Sequence, residues 1–124
     1  MSMTILLAED EDDVRDLLAG FLESRGHRVL IAANGAAALD LSRAYDGPID
    51  LLLTDVVMPA MSGVDLARQV QCERPGIDVV FMSGYAPRLS EPGGPASRAA
   101  GFLAKPFSLH TLDAAVKAPG LARA

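Results

Sequence analysis

Apolar positions along the chain change period several times, and each change marks a boundary between strand and helix. Met3 to Ala8 is a mostly apolar run that leads straight into the acids from Glu9 onward, and reads as a strand. From Asp13 the spacing becomes helical, with Val14, Leu17, Leu18, Phe21 and Leu22 recurring on one face and Gly26 as the stop. Arg28 to Ala33 is a second strand, closed by Asn34-Gly35. Gly35 to Tyr45 follows as a helix with Ala38, Leu41 and Tyr45 on one side, ending near Gly47-Pro48. Ile49 to Thr54 is a third strand, and its run Leu51, Leu52, Leu53 predicts burial on both faces. Met58 to Ser62 is a loop, after which Ser62-Gly-Val-Asp65 caps a helix to about Glu73, broken by Pro75-Gly76. Ile77 to Met82 and Gly101 to Ala104 are the fourth and fifth strands, and Ser108 caps a last helix that Pro119-Gly120 ends.

Strands that alternate with helices across short breakers predict an α/β fold, a parallel sheet with helices on both faces. Crossovers in such a sheet are right-handed, and ligands bind at the carboxyl ends of the strands near the topological switch point. The segment Pro87 to Ala100 breaks the pattern, because Pro92, Gly93, Gly94 and Pro95 oppose a continuous helix. A short or irregular fourth helix is expected there.

Composition narrows the class. The 124 residues fit one domain, 1–124, with a core of about 4–117 and a short tail at 118–124. A net charge of −5 with scattered basic residues argues against direct binding to nucleic acid or to an anionic membrane. The single cysteine, Cys72, excludes an internal disulfide and suits a reducing cytoplasm, where it is expected to pack on the third helix. Neither a secretory signal nor an apolar run of about 20 residues is present. His27 and His110 lack metal-ligand spacing, His110 reads as a surface residue of the last helix, and Met58, Met61 and Met82 read as loop or core packing.

Candidate chemistry lies just after the strands: Glu9 and Asp10 after the first, Asp55 after the third, Ser83 after the fourth and Lys105 after the fifth. Taken alone, the acid run is a solvated helix N-terminus, Ser83-Gly84 a turn and Lys105-Pro106 uninformative. Taken together, they place three carboxylates, a hydroxyl and an ammonium on one edge of the sheet. Clustered carboxylates repel, so they require a cation or raised pKa values. An all-oxygen donor set with open positions suits Mg²⁺ (or Mn²⁺). A carboxylate beside such an ion can act as a nucleophile towards phosphorus.

Four segments carry a resemblance: Ile5-Leu-Leu-Ala-Glu-Asp-Glu11, Leu53-Thr-Asp-Val-Val-Met-Pro59 with Gly63, Phe81-Met-Ser-Gly-Tyr-Ala86 and Phe102-Leu-Ala-Lys-Pro-Phe107. From about Thr4 to Lys117 the chain resembles the receiver domains of two-component signalling. The resemblance implies a flavodoxin-like, doubly wound sheet of five parallel strands in order 2-1-3-4-5 with five helices. It implies that Asp55 is the phosphoacceptor, with Ser83 and Lys105 assisting. It implies a metal site of Glu9, Asp10, Asp55 and the Val57 backbone carbonyl, Glu9 acting through a metal-bound water. Ser83 and Phe102 match the switch pair, and Lys105–Pro106 matches a cis peptide. The implied partners are a histidine kinase or phosphotransfer protein as donor and a downstream protein effector, with the chain a cytoplasmic monomer or weak dimer. The wording of the third and fourth strand ends resembles receivers attached to hybrid histidine kinases, although a free-standing regulator is the expectation. Glu9, where the family more often has Asp, and the Pro/Gly-rich stretch depart from the pattern.

Three other readings compete. A phosphatase of the haloacid-dehalogenase type needs a second acid two residues after its nucleophile, where this chain has Val57. A flavodoxin-like flavin protein needs a Ser/Thr/Gly-rich phosphate cradle after its first strand, where this chain has acids. A phosphorylation-independent interaction module would lack one of the acids, the acceptor or the lysine, all of which are present.

Overall fold

A computed structural model describes residues 2–84 and 101–117. In chain order they form β1 (Thr4–Ala8), α1 (Asp12–Ser24), β2 (Arg28–Ala32), α2 (Gly35–Ala44), β3 (Leu51–Asp55), α3 (Gly63–Glu73), β4 (Asp78–Ser83), β5 (Gly101–Ala104) and α4 (Leu109–Lys117). All strand pairs are parallel, and the sheet runs β2-β1-β3-β4-β5 as expected. Asp55 and Ser83 are the last residues of their strands rather than the first beyond them. The expected irregular fourth helix falls in 87–100, outside the described residues, so the described helices number four. None of them is long and apolar enough to cross a membrane.

The alternation of strand side chains divides the interior into two cores. Leu6, Ala8, Leu52, Val79 and Phe81 face Ala38 and Leu39 of α2 and Leu66, Ala67 and Val70 of α3. Ile5, Leu7, Leu51, Leu53, Val80 and Met82 face Leu18, Ala19 and Leu22 of α1 and Leu112, Ala115 and Val116 of α4. The three leucines of β3 are thus shared between opposite faces, and every residue of that strand is buried. β1 and β3 occupy the middle of the sheet, so they are fixed by ladder bonds on both sides and packing on both faces.

Local signals set the helix ends. The side chains of Asn34, Ser62 and Ser108 accept from the backbone N–H of Ala37 (2.8 Å), Asp65 (3.1 Å) and Thr111 (3.0 Å). At the end of α1, Gly26 takes φ +91°, and the N–H groups of Gly26 and His27 donate to the carbonyls of Glu23 (3.0 Å) and Leu22 (3.2 Å). This is a Schellman closure, which requires the left-handed conformation that glycine adopts without strain. Arg74, past the end of α3, donates to Ser42 Oγ (3.0 Å) and to the carbonyls of Ser42 (2.7 Å), Tyr45 (2.8 Å) and Gly47 (2.9 Å). One guanidinium thereby satisfies the carboxyl end of α2 and joins the two helices of that face. Cys72 does not pack as expected and is exposed. The core-facing positions of α3 are Gly63, Leu66, Ala67 and Val70, and position 72 lies off that stripe.

His27 is buried at 6% exposure, and its Nδ1 accepts the Met3 N–H at 3.1 Å. The neutral ring therefore carries its proton on Nε2. Burial lowers its pKa below the ordinary 6.5; Asp113 opposes this, and Lys117 and Arg25 reinforce it. Above pH 6.5 the folded and unfolded chains are both neutral here and this contribution to stability is complete. As pH falls below 6.5 the unfolded state binds the proton first, and protonation of Nδ1 would remove its acceptor for Met3. Urea unfolding between pH 7 and pH 5 should show stability declining with a slope of at most about 1.4 kcal/mol per pH unit from this group. His27→Gln should flatten that slope; an unchanged slope would assign it to other groups.

Candidate functional site

Parallel strands end on a common edge, and the chemistry-bearing residues gather there. Glu9 follows β1 directly and is fully buried, its N–H donating to the Ala32 carbonyl of β2 at 3.2 Å. Asp10, the next residue, is exposed. Asp55 ends β3 and is 7% exposed. One carboxylate oxygen from each of Glu9, Asp10 and Asp55 lies within 4.8 Å of the others. Ser83 is buried at the end of β4, and its carbonyl accepts the Lys105 N–H at 2.7 Å. Val57 lies two residues beyond Asp55 with an exposed side chain, and Phe102, half-buried in β5, packs against the core on the α2/α3 side.

Lys105 enters this edge from β5, followed by a cis bond to Pro106. Its Nζ donates to Glu9 Oε1 at 2.6 Å and to Asp55 Oδ2 at 3.2 Å. Burial alone would lower the Lys105 pKa. The Glu9 hydrogen bond and the charges of Asp55 and Glu9 outweigh that and raise it above the ordinary 10.5, so the group stays an ammonium at neutral pH. Three carboxylates against one ammonium leave two negative charges uncompensated, the charge of one divalent cation. The all-oxygen donors and their spacing fit Mg²⁺ or Mn²⁺, which retain waters and favour carboxylate ligands.

Three further residues act on this edge: Thr54 and Glu11, which lie within the strand-end motifs but drew no role there, and Arg15, which lies outside them. Thr54 is fully buried and its hydroxyl donates to the Asp55 carbonyl at 2.9 Å. Glu9 Oε2 accepts the Glu11 N–H at 3.1 Å, closing the β1–α1 turn on itself. Arg15 donates to the Glu9 carbonyl at 3.1 Å. A 590 Å³ cleft lined by Met3, Pro48, Asp50, Arg74, Ile77 and neighbouring residues lies at the opposite, amino-terminal edge of the sheet and contains none of the three acids.

A family model described as the response regulator receiver domain matches residues 5–117. The response regulator receiver protein CpdR of Brucella abortus is 43% identical over 108 residues, which cover 87% of this chain and 88% of CpdR. The sensor kinase CckA of the same organism is 44% identical over 116 residues, 94% of this chain. That match spans only 12% of the kinase. Among solved structures, the response regulator TrrA of Thermotoga maritima, in complex with Mg²⁺–BeF, superposes with a TM-score of 0.82 at 26% identity. The match covers 94% of this chain and 98% of that one.

The seating of Asp55 depends on a close approach by α3. The Gly63 N–H donates to the Val56 carbonyl at 2.8 Å, and a Cβ at position 63 would stand 1.9 Å from the Asp55 carbonyl oxygen. The obstruction is backbone, which has no rotamer with which to yield. Gly63→Ala should therefore cost about 2–4 kcal/mol in urea unfolding, in the range of severe overpacking. A cost below about 0.5 kcal/mol would show that α3 withdraws freely from Asp55.

Proposed function

The chain belongs to the response regulator receiver domain family, and from that premise we propose that it accepts a phosphoryl group on Asp55. Mg²⁺ (or Mn²⁺) would be held by Glu9, Asp10, Asp55 and the Val57 carbonyl. The observation that supports this most directly is the ion pair of Lys105 with both Glu9 and Asp55, set among three carboxylates close enough to share one cation. Transfer from a phosphohistidine forms a bond between an Asp55 carboxylate oxygen and phosphorus as the phosphorus–nitrogen bond breaks. The donor imidazole keeps that electron pair and takes up a proton. The bound cation would supply positive charge to the carboxylate and phosphoryl oxygens. Lys105 neutralises the transferring oxygens from the other side, and the Ser83 hydroxyl donates to one of them. The acyl phosphate then hydrolyses slowly, so the chain acts as a switch rather than as an enzyme with turnover.

Phosphorylation adds charge beside Lys105 and Ser83, which lie at the ends of adjacent strands. Drawing Ser83 towards the phosphoryl group opens space on the side where Phe102 turns inward, and the surface of β4 and β5 changes its affinity for a downstream protein. We assign the donor to a histidine kinase or phosphotransfer protein and the whole chain to a single cytoplasmic receiver unit, a monomer or weak dimer, without direct contact to nucleic acid or membrane.

Intact-mass analysis after incubation with acetyl phosphate and Mg²⁺ should show one phosphoryl adduct on the wild type. Asp55→Asn should show none, and chelation of Mg²⁺ should abolish the adduct. A folded wild type that stays unmodified with acetyl phosphate and also with a phosphorylated donor protein would sink this reading in favour of a phosphorylation-independent module. Phe102→Ala should still form the adduct but lose the phosphorylation-dependent amide shifts in β4 and β5 measured by NMR. Retention of those shifts would separate Phe102 from the switch.

A further inference from the structure

Arg15 lies in the first turns of α1, with its side chain only 16% exposed, and reaches back over the β1–α1 turn. Its Nη1 donates to the Glu9 carbonyl at 3.1 Å, and its Nη2 pairs with Asp12 Oδ1 at 2.5 Å. The Glu9 carbonyl belongs to the peptide that joins Glu9 to Asp10, two of the three clustered acids. Glu9 is held independently through Lys105, the Glu11 N–H and the Ala32 carbonyl. Asp10 is exposed, so its direction is set by its backbone rather than by packing.

We propose that Arg15 is a positioning residue of the cation site: its fork fixes the Glu9–Asp10 peptide against the first turn of α1 and so aims the Asp10 carboxylate at Asp55. The inference rests on the reading that Glu9, Asp10 and Asp55 hold a divalent cation. It is not the simplest electrostatic expectation. A guanidinium beside an acidic cluster repels an incoming cation, so on charge alone its removal would tighten binding. Positioning predicts the opposite sign. Lysine separates the two effects, because it keeps the charge and loses the planar fork that serves two acceptors at once.

Calorimetric titration of the full chain with Mg²⁺, for wild type, Arg15→Lys and Arg15→Met, tests this. Arg15→Met should weaken Mg²⁺ affinity by about tenfold, the scale of lost outer-shell support, and Arg15→Lys by a smaller factor in the same direction. Before any Mg²⁺ is added, the amides of Glu9, Asp10 and Glu11 should exchange faster with solvent in both variants, with protection in β3 and β4 unchanged. An Arg15→Lys chain that binds Mg²⁺ as tightly as wild type, or tighter, overturns the proposal. Should Arg15→Met fail to fold by circular dichroism, the lysine variant decides alone, since its charge is unaltered. A wild type that binds no Mg²⁺ overturns the reading of the site and the inference with it; binding by wild type with no weakening in Arg15→Lys overturns the inference alone.

Discussion

One ammonium group holds the carboxyl edge of the sheet together. Lys105 Nζ bonds Glu9 beyond β1 and Asp55 at the end of β3, so a residue following an edge strand ties together two of the interior ones. Glu9 has no exposed surface, and a carboxylate taken out of water is costly unless a charged or hydrogen-bonding partner replaces the lost hydration. Lys105 and the Glu11 amide are those partners. Yet one ammonium cannot balance three carboxylates, and the excess negative charge is tolerable only because the site opens to solvent at Asp10. The edge is thus poised: the arrival of a cation or of a phosphoryl group changes the charge balance on which its geometry rests.

That poise requires a rigid support. β1 and β3 cannot slide, because a shift of one residue would exchange the side chains that face the two cores. In β3 the exchange would move Leu52 into the site of Leu51 or Leu53 while carrying Asp55 off its edge. The acids are consequently placed by apolar residues several positions earlier in each strand. Gly63 adds the constraint from the other side, allowing α3 to lie against the Asp55 carbonyl itself. Electrostatic tension is confined to one edge while the interior stays apolar and tightly determined.

Much of this was legible in the sequence, for reasons of range. Hydrophobic period and capping residues are local, so the strands, the Ser62 and Ser108 caps and the glycine stop of α1 could be read directly. In a parallel sheet every strand ends on the same edge, so position relative to a strand end is already a spatial coordinate; Glu9, Asp10, Asp55, Ser83 and Lys105 were readable on that ground. Long side chains were not. Neither the reach of Arg74 to the end of α2 nor that of Arg15 to the Glu9 carbonyl has a spacing rule, because each depends on where a flexible arm finds unpaired carbonyls. His27, lacking metal spacing, gave no sign of burial, which follows from its bond to Met3 at a distant strand start. Cys72 was misjudged although the information was present: the spacing of Leu66, Ala67 and Val70 already leaves position 72 outside the buried stripe.

The choice of glutamate at position 9 then has a physical consequence. Its carboxylate serves two partners at once, Oε1 taking the Lys105 ammonium and Oε2 the Glu11 amide, which closes the turn leading into α1. A group so committed has little freedom to turn fully towards a cation, whereas Asp10 is exposed and Asp55, though buried, ends its strand with a carboxylate oxygen within 4.8 Å of the Asp10 and Glu9 oxygens. On the proposed reading of the site, direct coordination of a cation would therefore fall on Asp10 and Asp55. Glu9 would contribute charge and, on the same reading, a longer contact through a water. The same commitment binds Lys105 to Glu9 more closely than to Asp55, by 2.6 Å against 3.2 Å, so the lysine could strengthen its hold on Asp55, were that residue phosphorylated, while keeping Glu9 as an ionic partner. If Asp55 is phosphorylated as proposed, no large movement of Lys105 is needed; a redistribution of its hydrogen bonds between two carboxylates already within reach is enough.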